Sequence, residues 1–123
     1  LRDPSRPIVF IGTGTGISPC RSFVRSHLPT DLTILQGART EAELYYRKEW
    51  APYQFAACVS RKCGSNQPQY VHQALDQLGI HVGAHYYLCG GFEMIYSVSG
   101  QLLAAGVSRD SIHTEAYYYK AMD

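Results

Sequence analysis

The run Gly12-Thr13-Gly14-Thr15-Gly16-Ile17-Ser18-Pro19 concentrates the features that hold a phosphate ester. Glycine lets the backbone approach a ligand without a clashing Cβ. Ser18-Pro19 opens a helix, since serine is a favoured N-cap and proline is tolerated at the first helical position. A helix start offers unpaired N–H groups and a positive dipole end to an anion, so a pyrophosphate could sit here without any lysine. A bare strand-to-helix turn is the plainer reading, but it does not account for three glycines and two threonine hydroxyls together with a capped helix. Two familiar phosphate motifs are excluded. Three residues after Gly14 stands Ile17, so the G-x-G-x-x-G pattern fails, and no Gly-Lys-Ser/Thr follows to make a P-loop.

Other chemically capable residues are less eloquent. Cys58 and Cys63 have the spacing that opens a plant-type iron–sulfur motif, but the next required cysteine falls on Asn66. No cysteine pair has C-x-x-C spacing, so reduced thiols are expected. His81 and His85 stand four apart with Gly83 between them, which suggests two solvent-facing side chains rather than a metal pair. The chain has 123 residues, 46% apolar and 17% charged, with a net charge of +1, as expected for one globular domain with no call for nucleic acid. No apolar run reaches the ~18 residues of a membrane span. Leu1-Arg2-Asp3-Pro4 is neither a signal peptide nor a Met start, which points to a piece of a longer cytoplasmic protein.

These residues need a scaffold, and the apolar pattern supplies it. Strands are expected at 7–11, 31–36, 53–59, 85–89 and 111–117, and helices from Ser18 to before Pro29, at 40–50, at 70–78 and at 93–105. Residues 61–68 read as a polar loop. Alternation of this kind implies an α/β fold, a three-layer doubly wound domain with a mainly five-stranded parallel sheet. Ligands of such sheets sit at the carboxyl ends of the strands, near the switch in strand order. The glycine run and Cys89-Gly90 both follow strands.

The segment Gly12 to Phe23 resembles the G-T-G-x-(G/A)-(I/V)-(A/S)-P-x-R-S-F opening of the NAD(P)-binding domain in ferredoxin–NADP reductase-like flavoproteins. The likeness continues through Gly37-Ala38-Arg39-Thr40, Leu44 to Glu49, Tyr87-Leu88-Cys89-Gly90 with Met94, and His113-Thr114-Glu115-Ala116-Tyr117. Two departures stand out. Gly91-Phe92 replaces the proline that often follows Cys-Gly, and six residues follow Tyr117, which closes the plant-type chains.

The resemblance implies a site. Gly12, Thr13, Gly14, Thr15, Gly16 and Ser18 would hold the pyrophosphate of NADP(H) or NAD(H). Gly90 and Met94 would make room for the nicotinamide, beside Cys89 and Glu115, with Tyr117 as the aromatic that covers the flavin. Unaided, the last three read as a buried strand cysteine, a strand-end acid and an ordinary tyrosine. Ser60 and Arg61, with Tyr70 ten residues on, suit a 2′-phosphate, and Arg39 lies near the same ribose. Two charge-assisted hydrogen bonds of roughly 1.5–3 kcal/mol each give about a hundredfold preference or more, so NADPH is favoured over NADH. The second strand ends in Gly37-Ala38-Arg39, with no acid to take a ribose 2′-hydroxyl.

The implied function is the nucleotide half of a flavin-dependent reductase. FAD or FMN would be held by an upstream domain, whose R-x-Y-(S/T) segment is missing from these residues. The isolated chain is then expected to bind little flavin and to reduce little. Electrons would pass to a carrier such as ferredoxin or flavodoxin, or to an oxygenase component. The competing readings are a nucleotide-binding regulatory module and an unrelated doubly wound domain using the loop for another phosphate ligand.

Overall fold

The computed structural model describes residues 6–27, 31–44, 46–59 and 70–117. Five apolar runs become strands: β1 Ile8–Thr13, β2 Leu32–Ala38, β3 Gln54–Val59, β4 His85–Gly91 and β5 Ile112–Tyr117. The amphipathic runs become helices α1 Ser18–His27, α2 Val71–Leu78 and α3 Phe92–Ala104. All neighbouring strands are parallel, in the order β3-β2-β1-β4-β5. The chain winds outward from β1 through β2 to β3, then crosses back to place β4 on the other side of β1. The switch in strand order therefore lies between β1 and β4, directly under the glycine run.

Successive strand residues face opposite ways, so a parallel sheet needs cover on both sides. Val9, Ile11, Leu35, Tyr86 and Leu88 pack with Val71, Ala74 and Leu75 of α2 and Ile95, Val98 and Leu102 of α3. Ile8, Phe10, Leu32 and Ile34 face the other layer, where Ile17, Cys20 and Trp50 are buried and Phe23 and Val24 of α1 pack alongside. Gly106, at φ +102, lets the chain leave α3, and the Val107 N–H turns back to the Leu102 carbonyl at 3.0 Å. At the amino edge of the sheet Arg6 ties three segments together, donating to the Gly83 carbonyl at 2.6 Å and the Ser111 hydroxyl at 2.8 Å.

Two expectations need correction. The helix read over 40–50 is instead two 3-10 turns, Glu41–Glu43 and Arg47–Trp50, broken by Tyr46 in the left-handed conformation at φ 62. Its apolar residues do not form one stripe. Leu44 and Trp50 each anchor separately in the core, and that overrides helical propensity. His85 is not solvent-facing either. It is 2% exposed, and its Nδ1 lies 3.5 Å from Nε2 of His113 on the neighbouring strand. His81 is exposed, its ring nitrogen accepting from the Gly83 N–H at 3.1 Å.

Trp50 is the only tryptophan and is fully buried. Replacing it with alanine should cost about 3–5 kcal/mol, read as a lower urea midpoint at unchanged m-value by circular dichroism. A midpoint shift near zero would mean that the 3-10 turn does not anchor that layer.

Candidate functional site

The carboxyl edge is organised by register. Gly12 of β1 pairs with Cys89 of β4, and Cys89 pairs with Glu115 of β5. With strands ~4.8 Å apart, these three residues form a row about 10 Å long across the switch point. On the other side Gly12 pairs with Gln36 and Thr13 with Gly37. Beyond β1 the chain makes one 3-10 turn, Gly14–Ile17, and runs straight into α1. Gly14 takes φ +57, a conformation that disfavours side chains, and Ile17 is fully buried, which pins the turn to the core. Neither the turn nor α1 has an acidic residue in its first turn, so no carboxylate competes for an anion there. Ser18 is the first helical residue rather than the one before it, and its hydroxyl lies 3.4 Å from that of Tyr46.

Thr13 holds the edge together. Its Oγ1 accepts from the Gly91 N–H at 3.4 Å, fastening the exit of β1 to that of β4. A Cβ on Gly90, which sits at φ +150, would collide with the same oxygen and come within 3.2 Å of the Met94 methyl. A Cβ on Gly37 would approach the Thr13 methyl at 2.8 Å and Val71 at 3.0 Å. The contact with Val71 sets the start of α2 against the exit of β2. The importance of Gly37 and the latch role of Thr13 were missed from sequence. The available signal was that glycines end both strands flanking β1.

The residues expected around the 2′-phosphate belong to the far side of the edge. Arg39 is exposed just past β2, and its backbone N–H donates to Glu43 at 3.2 Å. Ala38 pairs with Val59, so Arg39 leaves its strand beside the point where the chain enters 60–69. Ser60 and Arg61 lie outside the described residues. Tyr70 is half-exposed at the head of α2, its ring stacked on His72 at 5.9 Å. The side chains of Thr15 and Tyr117 are likewise outside the described part, though the backbone of Tyr117 pairs with Gly91.

A second unassigned feature braces the helix start. Glu49 accepts from Arg21 at 2.5 Å and from Arg25 at 3.0 Å, while the Arg21 guanidinium covers the Tyr46 ring at 4.4 Å. This partly exposed network joins α1 to the 3-10 segment.

Cys89 is buried, and burial pushes its thiol up to about 12, with the Glu115 carboxylate adding to the shift. Cys20 behind the loop is pushed up by burial first and by Cys89 second. Neither is a nucleophile at neutral pH. Cys20, Cys58 and Cys89 are all buried; among the described residues no group of three His, Cys, Asp or Glu is placed to hold a metal ion, and no helix is long and apolar enough to cross a membrane.

Comparison with known proteins agrees with this architecture. The profile of the oxidoreductase NAD-binding domain matches residues 10–100. The chain is 28% identical to the sulfite reductase [NADPH] flavoprotein alpha-component of Shewanella sp. strain ANA-3, covering 93% of this chain and 22% of that protein. It is 30% identical to ferredoxin–NADP reductase B of Sorangium cellulosum strain So ce56, covering 94% of this chain and 57% of that protein. It thus spans only part of each relative. The FAD/NAD-binding domain of a nitric oxide dioxygenase from Vibrio cholerae O1 biovar El Tor shares the fold, with TM-score 0.81, 24% identity, 95% of this chain covered and 53% of that chain.

Two outcomes follow. Gly90→Ala should destabilise the chain by about 1–3 kcal/mol in urea unfolding, because the new Cβ meets Thr13 in a strained conformation. An unchanged midpoint would dissolve the latch. Cys89 binds its proton more tightly folded than unfolded, so its stabilisation is intact below about pH 8.5 and lost as pH rises toward about 12. Melting temperature should therefore fall less steeply in Cys89→Ala over that alkaline range; parallel curves would contradict the shift.

Proposed function

The chain belongs to the oxidoreductase NAD-binding domain family, and from that premise we propose that it is the NAD(P)H-binding half of a flavin-dependent reductase, using NADPH in preference to NADH. The observation that carries this reading is the row Gly12, Cys89 and Glu115 at the switch point, beside a helix start free of acids. The residues fit a dinucleotide. The amides of 14–18 would take the pyrophosphate, with Thr13 keeping the turn in register. The nicotinamide would lie against Cys89 at the exit of β4, where the missing Cβ of Gly90 lets Thr13 and Met94 close up behind the ring.

Bound there, the dinucleotide would supply a hydride to a flavin carried by another part of the protein. The chain's own contribution is positional. Cys89 would offer a small neutral surface against the ring, since its raised thiol adds no charge at neutral pH. Glu115, exposed on the same face two strands from Gly12, would orient polar groups at that end. Tyr117 would shield the flavin when the nicotinamide is away. Ser60, Arg61, Arg39 and Tyr70 would gather round the 2′-phosphate, because the exits of β2 and β3 are adjacent and α2 begins beside them. The flavin domain and an electron acceptor, a carrier protein or an oxygenase component, complete the assignment. The named activities of the relatives in sulfite reduction and ferredoxin–NADP chemistry support it.

Calorimetric titration with 2′,5′-ADP and with AMP tests the nucleotide. Tight binding of 2′,5′-ADP alone is expected, and Arg61→Ala should weaken it about tenfold or more while leaving AMP unchanged. Equal affinity for both would shift the choice to NADH. Absence of binding by either would contradict the site.

A further inference from the structure

Helix α3 has a second face that is exposed among the described residues. Ile95, Val98 and Leu102 are buried against the sheet. Phe92, Tyr96, Ser99 and Leu103 follow one another at 4-3-4 spacing, the rhythm of a seam between two helices. Phe92 is 60% exposed and Tyr96 76%, their rings near parallel at 6.4 Å. From Met94 to Ser108 there is no charged residue, whereas the outer face of a solvated helix ordinarily carries several. Depletion of charge with retained aromatics is the composition of an interface centre. Gly100 stands in the middle of the helix with nothing within 4 Å of where its Cβ would be, so packing among the described residues gives no reason for a residue that weakens helices.

Charges lie at the two ends. Glu93 is exposed at the amino end of α3, and beyond the carboxyl end Arg109 and Asp110 are both exposed, Arg109 being the one that lines the depression beside the helix. Between α3 and the edge strand β5 runs a shallow depression of about 300 Å³, lined by Phe92, Tyr96, Leu103, Arg109, Ile112 and Thr114. We propose that this face is the interface of a two-fold symmetric dimer of the chain, with the two α3 helices antiparallel.

Charge selects the occupant and the direction. In an antiparallel pair, Phe92 of one copy reaches the Leu103 end of the other, where a guanidinium can cover its ring and Glu93 meets Arg109 of the partner subunit. Symmetry makes that ion pair twice. A parallel pair would set Glu93 against Glu93. The size suits a reversible association: the helix is about 20 Å long, and Phe92 and Tyr96 expose roughly 300 Å² together, against the ~800 Å² per partner of a stable complex. The remainder would come from Ser97, Gly100, Leu103 and the outer edge of β5.

Sedimentation velocity over a concentration series tests the proposal. The expected result is a concentration-dependent dimer that Tyr96→Glu converts to monomer, with circular dichroism unchanged because the ring is exposed. Glu93→Arg and Arg109→Glu should each weaken dimerisation about tenfold, and the two reversals combined in one chain should restore it. A monomer at every concentration overturns the proposal and leaves the face to another domain of a longer polypeptide. A dimer indifferent to Tyr96→Glu, or a combined reversal that fails to rescue, also overturns it.

Discussion

The close approach of three strand exits around Thr13 is the constraint on which the rest of this carboxyl edge depends. A parallel sheet delivers its strands to one edge, but ordinary side chains would hold the exits apart and fill the space between them. Here the neighbours of Thr13 are Gly37 and Gly90, and each would clash with it if it bore a Cβ. The hydroxyl then fastens the turn after β1 to Gly91. One small polar side chain between two glycines thus fixes the relation between the anion-binding turn and the strand that carries Cys89. A valine at 13 would keep the shape and lose the hydrogen bond, which separates the two parts of the interaction.

Around that latch the chemistry is one of exclusion rather than reactivity. The turn and α1 present no acid in their first turns, and burial keeps Cys20 and Cys89 protonated. Positive charge stands farther out, where Arg21 and Arg25 hold Glu49 and brace α1 against the 3-10 segment. Because this network is partly exposed, its worth is modest, on the order of 1 kcal/mol, and its role is to set direction. An anion at the turn would therefore be held chiefly by backbone N–H groups.

Much of this could be read from the residues. The five strands announced themselves as short apolar runs, and the glycine run with Ser18-Pro19 marked the strand-to-helix joint. The nearness of Cys89 and Glu115 was implied by resemblance, whereas the row they form with Gly12 comes from the strand order and register of the sheet. Other features depend on contacts between distant residues. Residues 40–50 carry helix-forming side chains, yet Trp50 and Leu44 plunge into the core independently and Tyr46 takes a left-handed conformation. The polarity of His85 suggested solvent, but its ring meets that of His113, which sits diagonally across on β5 opposite Tyr87, a contact fixed only by the sheet. The roles of Thr13 and Gly37 likewise appear only when strand exits are set side by side. The outward face of α3 was hidden because its exposed and buried apolar residues interleave.

The central claim is that the turn between β1 and α1 grips a diphosphate in register with Cys89. Diffraction from crystals of the chain grown with oxidised NADP tests it most directly. The account predicts phosphate oxygens within hydrogen-bonding distance of the amides of 14–18 and the nicotinamide ring against Cys89 and Gly90. Density for the dinucleotide elsewhere, or with its ring end directed away from β4, would contradict it.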